Sequence, residues 1–310
     1  MDDGSVDHTA QVCEEFGAFV RYVHQKNSGL PAARNTGIGL ASGEWIALCD
    51  SDDLWRPRKL EIQLAVLEAT GASWSITDFE IIDPSGIVRS REGDSFSRAF
   101  ALFEETGVAA AAHFDRWLRK TRIPAGSDVV TVYTGDAFGM LFEGNVALPS
   151  TAMISREVIA RTGGFDARFA AEETEFFHRL AAREPVAIVM KHLACYRVGN
   201  PSLIQGPPIP FIEAALTSVE QARALRPRLT PEEAAAYHSG RRRLLTRLAY
   251  AHLSVLDRAG ARRAAYQAMA EDAMRSPALL GIVAASFLPA PGLRALHKVK
   301  RALARSGSDE

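Results

Sequence analysis

The feature that most narrows the folds open to this chain is a short apolar run, Glu44-Trp45-Ile46-Ala47-Leu48-Cys49, that ends directly in Asp50-Ser51-Asp52-Asp53. An apolar stretch of that length, bounded by the Ser42-Gly43 turn and by acids, reads as a strand buried on both faces, the environment of a parallel sheet. Around it the periodicity switches to helical. Residues 6–20 place Val12, Phe16 and Phe19 on one helical face behind the cap Asp7, residues 20–23 form a short β-like run, and residues 30–41 read as a helix with small residues on one side. Residues 54–69 read as a third helix, with Leu60, Leu64 and Leu67 in line and Pro57 near its start, where proline is tolerated. Trp74 to Ile82 reads as a second strand closed by the turn Asp83-Pro84-Ser85-Gly86; helices at 155–161 and 172–182 and a late strand at 187–195 follow. Alternating strands and helices with short connections predict an α/β fold, a mostly parallel sheet with helices on both faces. Residues 89–145 are less periodic, with helical pieces at 97–105 and 109–120, and read as a variable segment framing a pocket.

Gly206-Pro207-Pro208-Ile209-Pro210 marks a boundary, so the expected division is 1–205 for the α/β domain and 206–310 for a helical region with helices at 211–225, 230–260, 261–275 and 276–288. Residues 253–264 resemble one unit of a helical-hairpin repeat, without a second copy at a fixed period. With 310 residues, 47% of them apolar, and a net charge of −1, the chain is neither disordered nor collagenous. That near-neutral total conceals a contrast: Asp and Glu outnumber Lys and Arg 30 to 20 over residues 1–222, whereas Lys and Arg lead 16 to 5 over residues 223–305. The basic third is read either as solvated helix faces or as a surface for anionic membrane, where each basic residue contributes about 1 kcal/mol. Three scattered cysteines suggest neither a disulfide framework nor a zinc site. No signal peptide is legible, and the longest apolar run, residues 278–288, is shorter than the roughly 20 residues a membrane span needs. A cytoplasmic protein, with peripheral association at the inner membrane face as an option, is the resulting expectation. Nucleic-acid binding finds no support, because the acidic body lacks interleaved basic and aromatic residues.

Carboxylates gather near two expected strand ends, Asp2 and Asp3 at the front and Asp50, Asp52 and Asp53 after the apolar run. In open parallel sheets, ligands bind where the carboxyl ends of strands and their loops converge. An acidic D-x-D there offers hard oxygen ligands to Mg²⁺ or Mn²⁺, which can in turn hold a diphosphate. Taken alone, such a tetrapeptide is more often a surface loop than a metal site; the buried strand directly before it brings the two readings level.

Four blocks in order carry a resemblance. Asn27-Ser28-Gly29-Leu30-Pro31-Ala32-Ala33-Arg34-Asn35-Thr36-Gly37, then Ala41-Ser42-Gly43-Glu44-Trp45-Ile46-Ala47, then Asp50-Ser51-Asp52-Asp53-Leu54-Trp55 with Pro57, Lys59 and Leu60, resemble family 2 glycosyltransferases of the GT-A fold. Met1-Asp2-Asp3-Gly4-Ser5 looks like the end of that family's VDDGS element. Gly163-Gly164-Phe165-Asp166, with Ala171-Glu172-Glu173-Thr174-Glu175-Phe176, is similar to its GGFD and acidic segments.

The resemblance implies transfer of a sugar from a nucleoside-diphosphate donor, a UDP-sugar foremost, to the hydroxyl of a glycan or lipid-linked acceptor, in cell-envelope or exopolysaccharide synthesis. By the same likeness a divalent cation, Mg²⁺ or Mn²⁺, is held by Asp52 with Asp50 or Asp53 assisting, the working pair being left open, and acts as a Lewis acid on the leaving diphosphate. Asp3 would meet the donor base and Asp50 the ribose. Arg34 would either approach the diphosphate or form a salt bridge to an acidic loop, and Asn35, also counted toward the donor site, ties loops together. Glu173, beside Glu172, matches the position of the general base, so that direct displacement inverts the anomeric centre; the pair Glu172-Glu173 departs from the family's Glu-Asp. Tyr196-Arg197 is read toward the acceptor or phosphate side, His192 as packing or a third metal ligand, Trp45 as core and Trp55 as a wall of the sugar pocket. The family ordinarily carries a strand, a turn and a helix before VDDGS, and this chain starts inside that element, from which weak donor binding is expected. The competing expectations are an inactive glycosyltransferase-like protein working as an interaction or membrane-surface module, and a nucleotidyltransferase, against which the GGFD and Glu172-Glu173 blocks argue.

Overall fold

A computed structural model describes residues 1–90, 110–144, 146–169, 172–198, 208–271 and 277–288. The helical piece expected at 97–105 and residues 206 and 207 of the boundary lie outside these residues. In chain order the described elements begin with α1 (Thr9–Glu14), α2 (Leu30–Leu40), β1 (Trp45–Ala47), β2 (Leu54–Trp55), α3 (Lys59–Thr70), β3 (Trp74–Ile82) and β4 (Val88–Ser90). Then come α4 (Ala110–Trp117), β5 (Arg119–Ala125), β6 (Asp128–Gly135), α5 (Phe138–Glu143), β7 (Met153–Ser155), α6 (Arg156–Thr162), α7 (Glu172–Ala181) and β8 (Val186–Arg197). Four helices end the series: α8 (Ile209–Leu225), α9 (Pro231–Ser254), α10 (Arg258–Ala270) and α11 (Pro277–Ala285).

The fold is mixed α/β, as expected, but its sheet is not mostly parallel. The strand order is β1-β7-β3-β8-β6-β5, with β2 on β8 and β4 on β3. Among the described strand pairs, β3 with β8 is parallel and the others run antiparallel. The expectation failed in the segment that carries no helical crossover. β5 and β6 form a hairpin around Gly126, whose φ of 60° suits glycine, and β7 inserts between β1 and β3. At the centre, β3 and β8 are covered on both faces: Trp74, Ile76, Val186 and Ile188 are buried on one side and Ser75, Thr77, Ala187 and Val189 on the other.

Three local readings are also revised. Val12, Phe16 and Phe19 are exposed, because only α1 and a 3-10 turn at Gly17–Phe19 form there and no described element packs over them. Residues 20–23 give no strand, only an Asp2–His24 bridge beside them. Leu54 and Trp55 pair with Cys195 and Ala194 instead of opening a helix; α3 starts beyond Pro57 and stops at Gly71, which takes the left-handed conformation.

Beyond residue 208 all described elements are helices. α9 opens on a capping box, in which Glu233 N–H donates to Thr230 Oγ1 (3.1 Å) and Thr230 N–H to Glu233 Oε2 (2.8 Å). It ends at Ser254 and not at 260, since Leu256 turns with φ 64° and Asp257 caps α10 by accepting from Gly260 N–H at 2.9 Å. Phe138 and Phe142 of α5 share a core with Leu216, Leu245 and Leu248, which joins these helices to the sheet. At Gly240 a side chain would collide with the Phe142 carbonyl oxygen, so α9 crosses α5 in backbone contact. Among the described residues no helix is long and apolar enough to cross a membrane.

Candidate active site

The acidic loop after β1 is held from three directions. Asp50 N–H donates to Ser150 Oγ (2.9 Å), Trp55 Nε1–H to the Ser150 carbonyl (2.8 Å), and Arg197 N–H to Asp53 Oδ1 (3.0 Å). Arg197 also spans the loop with its guanidinium, donating from Nε to the Asp52 carbonyl (2.8 Å) and from Nη1 to those of Asp83 and Pro84 (3.0 Å each). Below the loop, buried Lys59 donates to Gln63 Oε1 (2.6 Å) and lies over the Trp55 ring, while Gln63 donates to Ser75 Oγ and the Thr151 carbonyl. Burial pushes Lys59 down to about 7.

Within this frame the three aspartates have different environments. Asp53 is buried, and that burial raises its pKa despite hydrogen bonds from Ser150 and Arg197. Asp50 is partly exposed, and both of its carboxylate oxygens accept from Arg34 Nη2, at 2.8 and 3.0 Å. Asp52 is exposed, and its carboxylate lacks contacts of the kind that occupy Asp50 and Asp53 among the described residues.

Arg34 is the connecting residue. Its side chain is 7% exposed, stacks over Phe165 and donates from Nη1 to Glu172 Oε1 at 3.0 Å, so one guanidinium joins the acidic loop to the first turn of α7. The next residue on α2, Asn35, donates to the Phe165 carbonyl (2.7 Å) and accepts from Phe165 N–H (2.8 Å). A Cβ at Gly164 would collide with Asn35 Oδ1, which explains glycine at that position. Two adjacent residues of α2 thereby set the height of the 163–166 loop and of α7.

Glu173 follows Glu172 at the start of α7. Burial raises it to about 7; Glu172, Asp50 and Asp53 push the same way and Arg34 opposes them. It lines a cavity of about 330 Å³ with Phe79, Thr174, His178 and Tyr196. A carboxylate poised near neutrality in such a wall can accept a proton at physiological pH.

The structure brings Arg34, Asp50, Glu172 and Glu173 into one cluster. It places the other expected residues apart from it or in local roles. The Asp3 carboxylate accepts from Gln25 Nε2 (2.6 Å), Ser28 N–H (2.9 Å) and Gly29 N–H (2.8 Å), which lowers its pKa and ties the front of the chain to the start of α2. Asp2 is held down to about 2 by the Tyr22 hydroxyl and the Ser5 amide. His192 pairs with Asp78 across β8 and β3 at 3.2 Å, and Trp45 is half-buried. Ser150 was invisible in the sequence: it stands 100 residues from Asp50, in a turn with no motif of its own.

No group of three or more His, Cys, Asp or Glu side chains that could hold a metal ion occurs among the described residues. Mg²⁺-type ions on diphosphate substrates usually take one or two carboxylates and complete their shell with phosphate and water. The exposed carboxylate of Asp52 and the partly exposed one of Asp50 are hard oxygen donors of that type, so the residues present fit such an ion.

A mixed α/β sheet with appended helices is the fold this chain shares with solved GT-A glycosyltransferases. Residues 1–145 match the family described as Glycosyl transferase family 2. The structure resembles Staphylococcus aureus TarS 1-349 in complex with UDP-GlcNAc (TM-score 0.57, 13% identity, 92% of this chain and 79% of that one). It also resembles the mannosyltransferase PcManGT of Pyrobaculum calidifontis in complex with GDP-Man and Mn²⁺ (TM-score 0.53, 16% identity, 99% of this chain and 75% of that one). In sequence it is 42% identical over 89 residues to an uncharacterized glycosyltransferase of Rickettsia felis, covering 28% of this chain and 15% of that protein. Over 89 residues it is 36% identical to the UDP-Glc:alpha-D-GlcNAc-diphosphoundecaprenol beta-1,3-glucosyltransferase WfgD of Escherichia coli, 28% of this chain and 35% of that protein. The matches thus span little more than a third of these relatives' own length at most.

Proposed function

We propose that this chain is an inverting glycosyltransferase that moves a sugar from a nucleoside-diphosphate donor, a UDP-sugar foremost, to the hydroxyl of a glycan or lipid-linked acceptor in the synthesis of a cell-envelope polysaccharide. The observation that carries the proposal is the single cluster in which Arg34 joins Asp50 to Glu172 while Glu173, raised to about 7, stands next to Glu172. Donor binding is supported by the nucleotide-sugar complexes of the structural neighbours, and the polysaccharide context by the E. coli relative.

Asp52 with Asp50 would hold Mg²⁺ or Mn²⁺, which supplies positive charge to the departing diphosphate. Asp53, engaged by Ser150 and Arg197, keeps the loop in place beneath them. Arg34 places its positive charge between Asp50 and Glu172 and opposes the upward push of the neighbouring acids on Glu173. Glu173 takes the proton of the acceptor hydroxyl as that oxygen attacks the anomeric carbon; attack opposite the diphosphate inverts the centre.

The test is release of nucleoside diphosphate from UDP-sugars in the presence of Mn²⁺, measured with and without candidate acceptors. Asp52→Asn is expected to lower the rate at least about 100-fold, the scale on which removing one electrostatic contact to a developing charge acts. Failure of the parent chain to bind or cleave any donor would replace this reading with that of a non-catalytic interaction module. Release of pyrophosphate would point to a nucleotidyltransferase.

A further inference from the structure

Lys59, at the start of α3, is a buried amine beneath the acidic loop to which the proposed chemistry gives no task. It is 1% exposed, and burial pushes it down to about 7. Methionine, of similar length, would fill the same space without the penalty of burying an amine, so stability alone does not call for lysine there. Its contacts supply the reason. Nζ donates to Gln63 Oε1 (2.6 Å) and stands 4.5 Å from the centre of the Trp55 ring. Each partner runs on to one of two consecutive carbonyls: Trp55 Nε1–H to that of Ser150 (2.8 Å), and Gln63 Nε2–H to that of Thr151 (3.0 Å). Gln63 Nε2 also donates to Ser75 Oγ on β3 (2.9 Å). Lys59, Trp55, the 149–151 turn and Gln63 thereby close a ring. Ser150 carries that ring to the acids, since its Oγ accepts from Asp50 N–H (2.9 Å) and its side chain hydrogen-bonds Asp53. The Trp55 backbone is fixed by pairing with Ala194 of β8, which leaves the tilt of its indole to Lys59 and Ser150.

We propose that Lys59 is a positioning residue for the acidic loop: through Trp55 and Gln63 it fixes Ser150, and through Ser150 the place from which Asp50 and its neighbour Asp52 face a divalent cation on a diphosphate. The inference rests on the glycosyltransferase reading for what the loop holds. The ring's grip on the loop does not depend on that reading. Loss of the amine removes a hydrogen bond and a ring contact together, so Trp55 and Gln63 are both released while remaining in the chain. Arg34 and Arg197 grip the loop from other directions and survive the change, so the loop is expected to loosen without leaving its site.

Two measurements on the full chain test it: hydrogen–deuterium exchange without ligand, and titration with Mn²⁺ and UDP followed by loss of the free Mn²⁺ paramagnetic resonance signal. In Lys59→Met, amides of residues 48–56 and 149–152 are expected to exchange at least about tenfold faster, with those of α10 unchanged and the melting temperature no lower than the parent's. Mn²⁺–UDP is expected to bind at least about tenfold more weakly. Trp55→Phe, at a half-buried position that tolerates the change, keeps a ring over Lys59 and loses the bond to Ser150; it should act in the same direction. The double variant should lose no more than the worse single one, because both substitutions open the same ring. Unchanged exchange of the two segments in folded variants, unchanged Mn²⁺–UDP affinity in a parent that binds it, or losses that multiply in the double variant would overturn the inference. So would faster exchange across the whole chain, α10 included, which marks a merely structural role. If the parent binds no Mn²⁺–UDP while both variants free the loop, Lys59 stands as the residue that positions it and the donor reading falls.

Discussion

At the residue scale the acids of this site differ by what surrounds them. Glu173 is raised to about 7, chiefly by burial, while Glu172, one residue earlier, has Arg34 at 3.0 Å. If Glu173 is the base, glycosyl transfer should rise with pH through about 7 and level off above it; in Glu173→Gln the residual rate should lose that dependence, and an unchanged pH profile would remove Glu173 from the chemistry. Stability gives a second readout with opposite sign. The folded protein holds the Glu173 proton to higher pH than the unfolded chain does, so stability falls as pH rises from about 4.5 to about 7. Glu173→Gln should therefore raise the melting temperature at pH 8, by a few degrees if about 1 kcal/mol is recovered, and leave it unchanged near pH 4. Arg34 supports a different expectation. Lysine cannot reproduce two-pronged contact with Asp50 and Glu172, so Arg34→Lys should lower kcat/KM by at least about tenfold while costing on the order of 1–2 kcal/mol in urea denaturation. A variant with full activity would reduce Arg34 to a structural salt bridge to the acidic loop.

At the scale of elements, the loops of the candidate site are positioned by side chains of a neighbouring helix and strand. α2 holds the 163–166 loop through Asn35 and the acidic loop through Arg34, and β8 closes over the latter with Arg197. Much of this was legible: the strand at Trp74–Ile82 and the helices near 156–162, 172–181 and 209–225 stand within a few residues of their sequence-based positions, because their apolar runs are long and cleanly bounded. The hairpin β5–β6 was not, since Arg119–Ala125 is mostly polar and buries only Ile123 and Ala125 at its far end. Its strand character comes from pairing with Asp128–Gly135, not from its own composition. The crossing of α9 over α5 makes a test at this scale. Gly240→Ala gains up to about 1 kcal/mol of helix propensity, yet its Cβ meets the Phe142 carbonyl, a backbone atom that cannot rotate away. A net loss of about 1–2 kcal/mol is expected from chemical denaturation, and a gain would mean that the helices stand further apart than described.

At the scale of the whole molecule, the α/β body and the C-terminal helices are joined through a small number of strong contacts. Arg226, at the end of α8, pairs with Asp136 and Glu233 at 2.7 Å, donates to the Ala181 and Ala182 carbonyls and lies over the Phe138 ring. Its removal leaves buried Glu233 without its cation, a loss of the kind that costs about 3–5 kcal/mol in a fully buried pair and less at this partly exposed site. Arg226→Ala is expected to lower the melting temperature and to split one calorimetric transition into two, the helical region unfolding first. A single transition at an unchanged temperature would show that the apolar core around Phe142 and Leu245 couples the halves unaided.

The amino-acid sequence by itself determined the class of elements, the family likeness and the acids that make up the candidate centre, because apolar period, turn residues and motif order are local properties that each short stretch carries with it. Strand direction, the partnership of Arg34 with both Asp50 and Glu172, the part played by Ser150, and the apolar cavity between strands and C-terminal helices were decided only in three dimensions. Each depends on groups far apart along the chain meeting at a few ångströms, where burial and charge acquire their strength.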